Sequence, residues 1–135
     1  MTAINVTLSV QVAGGPQSSI TKPIEVGAYE KIEFGIGKDP KTQKDIAAPA
    51  PINLGKNVSL LLIKSNLDAP PLSDKAKLSY RVGKGKDIPL DAPHFYFGKG
   101  GVSVLGEDLT IAFTFTFGDA PKDFVLVEIL VGRDV

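Results

Sequence analysis

The stretch at 84–101, "KGKDIPLDAPHFYFGKGG", holds the residue types best suited to chemistry in this chain. His94, the one histidine of the sequence, precedes the aromatic run Phe95, Tyr96 and Phe97, and glycine alternates with lysine at both ends. Histidine can serve as a base or a metal ligand, aromatic rings can stack on sugars, and glycine-rich loops can hold phosphate. Each of these chemistries requires further residues, which the rest of the sequence must supply.

Catalysis and metal binding both lack partners for His94. Ser–His–Asp or Cys–His catalysis needs an activated nucleophile beside the histidine, and a zinc site needs three or more converging ligands. The chain has no cysteine and no second histidine. We therefore expect His94 to be a strand-end residue with one hydrogen bond, and we predict no catalytic residue, no metal site and no cofactor. A pair of carboxylates for glycoside hydrolysis is defined by the distance between the two groups in the fold and not by their spacing in the sequence. No such pair stands out in the sequence.

The glycine–lysine segments do not match a phosphate-binding loop. A P-loop requires G-x-x-x-x-G-K-[ST] between a strand and a helix, and "GKGKD" has neither the hydroxyl residue nor the spacing. The segment instead predicts a hairpin turn between the strands "KLSYRV" and "DIPL", with Gly83 or Gly85 at positive φ. "FGKGG" likewise predicts a turn into a strand "GVSVLG".

The aromatic run raises a binding alternative. In a strand, Phe95 and Phe97 point to one face and His94 and Tyr96 to the other. We expect the two phenylalanines to lie in the core and Tyr96 to lie near the rim. A carbohydrate-binding module that uses Tyr96, His94 and Asp91 is therefore the alternative function.

The elements that must position these residues are strands, because the hydrophobic period is two. In "INVTLSVQV" apolar residues alternate with polar ones, which is typical of a half-buried strand, and "YEKIEFGI" and "LTIAFTFTF" repeat the pattern. Pro23 cannot donate a ladder hydrogen bond, so "ITKPIEV" should be an edge strand or begin at the proline. The sequence predicts an all-β fold, an antiparallel β-sandwich of about eight to ten strands, with a jelly roll as one candidate topology.

The chain length fits a single domain, 1–135, which at this size can form a core without metal or disulfide. From 37 to 55 the sequence "GKDPKTQKDIAAPAPINLG" is rich in proline and lysine. This composition predicts a long surface loop, with a short strand near Ile52 to Leu54.

The overall charge and the N-terminal sequence limit the classes of partner and the locations that we expect. Fifteen basic residues balance fifteen acidic ones, so nothing overall favours nucleic acid or an anionic membrane as a partner. The N-terminal stretch has no basic segment followed by a continuous apolar run, and no apolar run reaches the roughly 18–20 residues that span a bilayer. These features predict no signal peptide and a location in a virion or in the cytoplasm.

Two strands, "FVLVEILV" and "SLLLIK", are apolar on both faces. A two-layer sandwich buries one face of each sheet, so such strands need a second cover: a loop such as that at 37–55, a third layer, or another subunit. The residues that we predict to form a subunit interface are Val125, Val127, Ile129 and Val131 of the first strand and Leu61 and Ile63 of the second.

The C-terminal half, "IPLDAPHFYFGKGGVSVLG" followed by "LTIAFTFTF" and "VEILVGRDV", resembles small β-sandwich structural proteins of tailed bacteriophages and prophages. The resemblance covers about the last fifty residues and includes no catalytic motif. It implies a virion-associated accessory protein, such as a capsid decoration or tail component, that packs in many copies. The proline- and lysine-rich loop departs from the compact hairpins expected of such a protein. We predict a non-enzymatic structural or assembly protein that self-associates into a homo-oligomer or larger particle.

Overall fold

The computed structural model describes residues 2–38, 41–42, 44–66, 77–116 and 124–134. Within these residues the chain forms eleven β-strands and one short helix, which confirms the predicted all-β class. The elements are β1 (Thr2–Gln11), β2 (Gln17–Val26), β3 (Ala28–Lys38), β4 (Asp45–Ile46), β5 (Ile52–Asn53), β6 (Val58–Ser65), β7 (Lys77–Val82), β8 (Ile88–Pro89), β9 (His94–Phe97), α1 (Gly98–Ser103), β10 (Thr110–Thr116) and β11 (Phe124–Arg133).

The strands of the described residues form three sheets in which every pair is antiparallel. Four strands follow the order β5-β10-β7-β8, and five follow the order β4-β3-β11-β6-β9. These two sheets face each other across one core, so the predicted sandwich-like architecture is confirmed. The jelly-roll topology stays a prediction. β1 and β2 form the third sheet, a two-stranded ribbon that pairs with no strand of the two larger sheets.

The core lies between the inner faces of the two larger sheets. Fully buried side chains such as Ile129 from the five-stranded sheet and Ile111 from the four-stranded sheet occupy it, and Phe34 meets Phe113 edge to face across the layers at 5.1 Å. Burying each large aliphatic side chain contributes about 1.5–3 kcal/mol relative to leaving it in water. This interlayer packing dominates the stability of the sandwich.

β11 is the central strand of the five-stranded sheet, and its two faces have different surroundings. It pairs with β3 on one side and β6 on the other, and its odd-numbered residues from Val125 to Val131 point into the core. Its even-numbered residues point outward, where Glu128 lies among ion pairs and Leu126 is exposed.

The 37–55 segment is partly structured, although residues 39, 40 and 43 lie outside the described part of the chain. The short strand predicted near Ile52 is confirmed as β5, which pairs with β10. Leu54 is fully buried, its N–H donates to the carbonyl of Leu109 at 2.9 Å, and its carbonyl accepts from Nε of Arg133 at 2.7 Å. The end of this segment is therefore anchored to the sandwich.

Two turn predictions had different outcomes. The turn between β7 and β8 is confirmed, with Gly83 at a φ of 57°. The predicted strand "GVSVLG" is wrong, because the chain forms α1 there and Val102 points into the core. A helix in "GKGGVS" runs against the low helix propensity of glycine, so the packing of Val102 decides the local structure.

Candidate functional site

The ribbon of β1 and β2, residues 2–26, is the most exposed feature of the fold, and we call it the arm. The two strands pair over ten positions, from Thr2 opposite Val26 to Gln11 opposite Gln17. Gly14 has a φ of 71° in the connecting turn, where the N–H of Gly15 donates to the carbonyl of Val12 at 2.8 Å. Ten residues at roughly 3.3 Å per residue make the arm about 33 Å long.

The arm has one apolar and one polar face, because residues directly opposite in an antiparallel pair share a face. The polar face is formed by pairs such as Thr7 opposite Thr21 and Ser9 opposite Ser19, and Glu25, opposite Ala3 near the base, is its one charged residue. The other face carries Ile4, Val6, Leu8, Val10, Ile20, Ile24 and Val26, with Lys22 as its one charged residue. The arm is thus an amphipathic and nearly uncharged ribbon.

The base of the arm packs on the outer face of the five-stranded sheet. Val26 is fully buried, and a methyl group placed on Gly132 of β11 would lie 2.9 Å from Val26 Cγ1 and 3.1 Å from Ile4 Cδ1. Glycine is therefore required at this position for the close approach. Leu60 of β6 is 1% exposed beneath the same contact. The apolar face of the arm and the outer face of the sheet are thus complementary at the base.

Beyond its base the apolar face is open. Leu8, Val10, Val12 and Ile20 are 46–56% exposed, and we call these four residues the distal patch. The sequence predicted a half-buried strand here, but a two-stranded ribbon has no second layer to cover its apolar face. Ribbons of this kind are marginal in water unless their apolar face packs against something. An exposed apolar patch on such a ribbon is typical of a protein–protein contact.

The six residues predicted as a subunit interface do not form one. Val125, Val127, Ile129 and Val131 with Leu61 and Ile63 are 0–1% exposed, because the four-stranded sheet of the same chain covers them. The opposite layer of the sandwich covers this face, so the second cover is needed on the outer face of these strands and not here. The exposed large apolar side chains of the described residues include instead the four of the distal patch.

The residues predicted for ligand binding come together around a residue that the sequence analysis missed. The hydroxyl of Tyr80 in β7 lies 2.7 Å from Nδ1 of His94 and 2.6 Å from the hydroxyl of Tyr96. Nε2 of His94 faces Oδ1 of Asp91 at 3.6 Å. The four side chains form a chain of polar contacts from the surface into the core, which we call the interlayer cluster. In the sequence, the one indication of this role is that "KLSYRV" places a tyrosine hydroxyl on an otherwise apolar strand face.

Burial favours the protonated form of Tyr80 in the interlayer cluster. Tyr80 is fully buried, and its desolvation together with the hydrogen bond to Tyr96 raises its pKa well above that of a free tyrosine. Protonated Tyr80 has one hydrogen to donate, and every group is satisfied when Tyr96 donates to Tyr80 and Tyr80 donates to Nδ1 of His94. Nε2 of His94, on the other side of the ring, faces Asp91. This arrangement joins the two sheets and presents no reactive oxygen of Tyr80 to solvent.

The aromatic run has the opposite orientation to the one predicted. His94 and Tyr96 face the core, whereas Phe95 and Phe97 point outward with ring centroids 6.3 Å apart, and Phe95 is 44% exposed. All four side chains could pack on either face, so alternation alone left the direction open. The hydroxyl of Tyr80 decides it, since it pairs with the two polar tips.

No family model, curated protein or solved structure matches this chain. Among the described residues no three histidine or carboxylate side chains converge as a metal site would require. No helix in that part of the chain has the length and apolar character to cross a membrane. The arm and the interlayer cluster are therefore interpreted from their own geometry.

The outer face of the five-stranded sheet carries an ion-pair row beside apolar residues. Glu128 accepts from Lys31 and from Lys64, each at 2.7 Å, and Lys31 also contacts Glu33 at 2.9 Å. Lys31 and then Lys64 lower the pKa of Glu128. Two lysines and two glutamates leave this row without net charge.

Proposed function

We propose that the chain is a non-enzymatic structural or assembly protein that acts by self-association, with the arm as its contact element. The observation that carries this proposal is the exposure of Leu8, Val10, Val12 and Ile20 on one face of the arm. Covering such a face removes apolar surface from water at about 25 cal/mol per Å², which favours association.

The charge of the arm supports a protein partner. Lys22 and Glu25 are the charged residues of the segment 2–26, so their charges cancel. A nucleic acid or an anionic lipid surface would be matched by a cluster of lysine and arginine, which the arm lacks. Its uncharged apolar face is instead suited to another protein surface.

The finer proposal is a virion-associated accessory protein of a phage or prophage. Its support is the resemblance of the last fifty or so residues and the build of the molecule, a small sandwich with a projecting contact arm. An accessory role of this kind needs many identical contacts rather than a reaction centre. The engagement of His94 by Tyr80 and Asp91 within the sandwich is consistent with that role.

The carbohydrate-binding alternative depended on a Tyr96 near the rim. Tyr96 lies on the inner face of β9 and its hydroxyl is bound to Tyr80, so its ring is not presented as a stacking platform. Asp91 is exposed, but it faces His94 rather than a group of sugar-binding side chains. We therefore keep self-association as the proposal.

The test is the solution mass of the protein over a concentration series, measured by size-exclusion chromatography with light scattering. The wild type should form an oligomer, and Val10→Asp should shift it toward monomer because a charge cannot be buried without a partner. Val104→Asp is the matched control, since Val104 is 77% exposed and lies outside the arm. A wild type that stays monomeric at all concentrations, or a Val10→Asp variant that assembles as well as wild type, would contradict the proposal. Charge at Val127 would instead disrupt the core.

A further inference from the structure

We propose that the distal patch of one copy docks on the outer face of the five-stranded sheet of a second copy, along a row formed by Leu130, Leu62 and Phe95. This inference rests on the proposed self-association and names the surface that receives the arm. We call the row of these three residues the acceptor strip.

The acceptor strip is one continuous apolar row across three strands. The register places Leu130 of β11 opposite Leu62 of β6, and Leu62 opposite Phe95 of β9, so the three side chains lie side by side on the outer face. Leu130 and Leu62 are half-buried and Phe95 is exposed. Nothing within the described residues covers Phe95 fully, so the strip remains available to a partner.

The row of residues next to the acceptor strip shows what kind of surface can pack on this face of the sheet. Gly132, Leu60 and Phe97 lie one pleat further along the same face, and the base of the arm already packs there through Ile4 and Val26. Within one chain, the base of the arm and the sheet therefore contact each other through apolar side chains. Side chains of the same kind are at least partly exposed in the distal patch of the arm and in the acceptor strip of the sheet. A second copy supplies an identical apolar ribbon for the adjacent row.

Charge and size agree with a second copy as the occupant. The ion-pair row of Lys31, Glu33, Lys64 and Glu128 borders the strip and has no net charge, and the distal half of the arm from Thr7 to Thr21 is uncharged. That half spans five register positions, about 17 Å. Reciprocal exchange of two arms forms the contact twice, which doubles the buried area toward the roughly 1,000 Å² that a specific interface must clear.

Directed crosslinking tests the contact, because the chain has no cysteine of its own. Single-cysteine variants Val10→Cys and Phe95→Cys, one of them carrying a mass tag, are mixed, diluted to allow subunit exchange, concentrated and oxidised. A disulfide requires Cα atoms within about 7 Å, so the mixed dimer should form about tenfold faster than in a matched mixture of Val10→Cys with Val104→Cys. Both substitutions are small and uncharged, so folding is retained.

A charge variant gives a second measurement on the same contact. Phe95→Asp should shift the oligomer toward monomer, whereas Leu126→Asp should not, since Leu126 is exposed on the same face but lies across the ion-pair row. An oligomeric wild type whose mass is unchanged by Phe95→Asp would overturn the acceptor strip and leave the proposed function standing. Dominant crosslinking of Val10→Cys to itself would also overturn it, because the arms would then pack on each other. A monomeric wild type would overturn both proposals.

Discussion

The hydroxyl of Tyr80 in the four-stranded sheet lies 2.6 Å from the hydroxyl of Tyr96 in the five-stranded sheet. Together with the bond from Tyr80 to His94, this contact joins the two layers by polar groups in an otherwise apolar core. A buried hydroxyl in such a position is stabilising only while both of its partners remain.

Tyr80→Phe should lower the free energy of unfolding by about 1–3 kcal/mol, because Nδ1 of His94 and the hydroxyl of Tyr96 then lose their buried partner. Urea denaturation followed by circular dichroism measures the change. Tyr29→Phe is the control, since Tyr29 is 61% exposed and its variant should match wild type. Equal midpoints for Tyr80→Phe and wild type would show that the cluster contributes no stability.

Stability should also fall at alkaline pH through the same residue. The pKa of Tyr80 is raised by burial in the folded protein, whereas an unfolded tyrosine titrates near 10. Above pH 10 the unfolded chain releases this proton more readily, so the contribution of Tyr80 is complete below pH 10 and decreases by about 1.4 kcal/mol per pH unit above it. Unfolding free energies of wild type and Tyr80→Phe, measured from pH 8 to 11, should converge above pH 10. Parallel pH profiles would refute this linkage.

Gly132→Ala should loosen the base of the arm. The added methyl group would lie 2.9 Å from Val26 Cγ1, 3.1 Å from Ile4 Cδ1 and 3.4 Å from Leu60 Cβ, and relieving such overpacking costs about 1–3 kcal/mol. Amide hydrogen exchange at Val26 should accelerate along with the loss of stability. Gly100→Ala provides the control, since outside its own helix the added methyl group would meet no atom within 4 Å, and this variant should not lose stability. Unchanged exchange at Val26 in Gly132→Ala would mean that the base does not depend on this close approach.

Glu128→Gln should destabilise the protein slightly at pH 7, since Lys31 and Lys64 then lose their shared carboxylate. Because the pKa of Glu128 is lowered in the folded state, its contribution is present above the unfolded value of about 4.3 and disappears as the pH falls through the folded value. The gap between wild type and variant should therefore close in acid and shrink in high salt. Glu33→Gln, at a carboxylate that contacts only Lys31 of the two lysines, should show a smaller gap at pH 7. A gap that persists at pH 3 would point to packing rather than charge.

Strand periodicity predicted most of the fold but could not assign faces where both are apolar. The alternation in β10 and the proline in β2 correctly indicated a two-faced strand and an edge position, respectively. In β11 and β9 the pattern is ambiguous, because the covering layer is contributed by residues distant in sequence, such as Phe113 and Tyr80. The two-residue strand β4 and the glycine-rich α1 were missed for a related reason, since tertiary contacts override their weak local preferences.

The candidate site shows the same limit. The alternation of "INVTLSVQV" is visible in the sequence. The exposure of the apolar face of this strand, however, depends on the absence of a second layer over the arm, which is a property of the whole fold. The predicted interface residues, Val127 among them, have the composition of a contact surface and lie in the core instead. Composition identifies apolar faces, and only the topology tells which of them another element of the chain already covers.

The position of β11 between β3 and β6 also determines the order in which parts of the chain can fold. β11 follows every other described strand in sequence, so the five-stranded sheet cannot close until that segment has left the ribosome, and its long-range pairing forms slowly. The arm is a local hairpin that can form in microseconds. The base of the arm packs on Gly132 of β11, and under the proposed docking the acceptor strip includes Leu130 of the same strand, so a nascent chain has neither a packed arm nor a complete strip before β11 is made. Under this proposal, late synthesis of the central strand delays assembly until the subunit is folded.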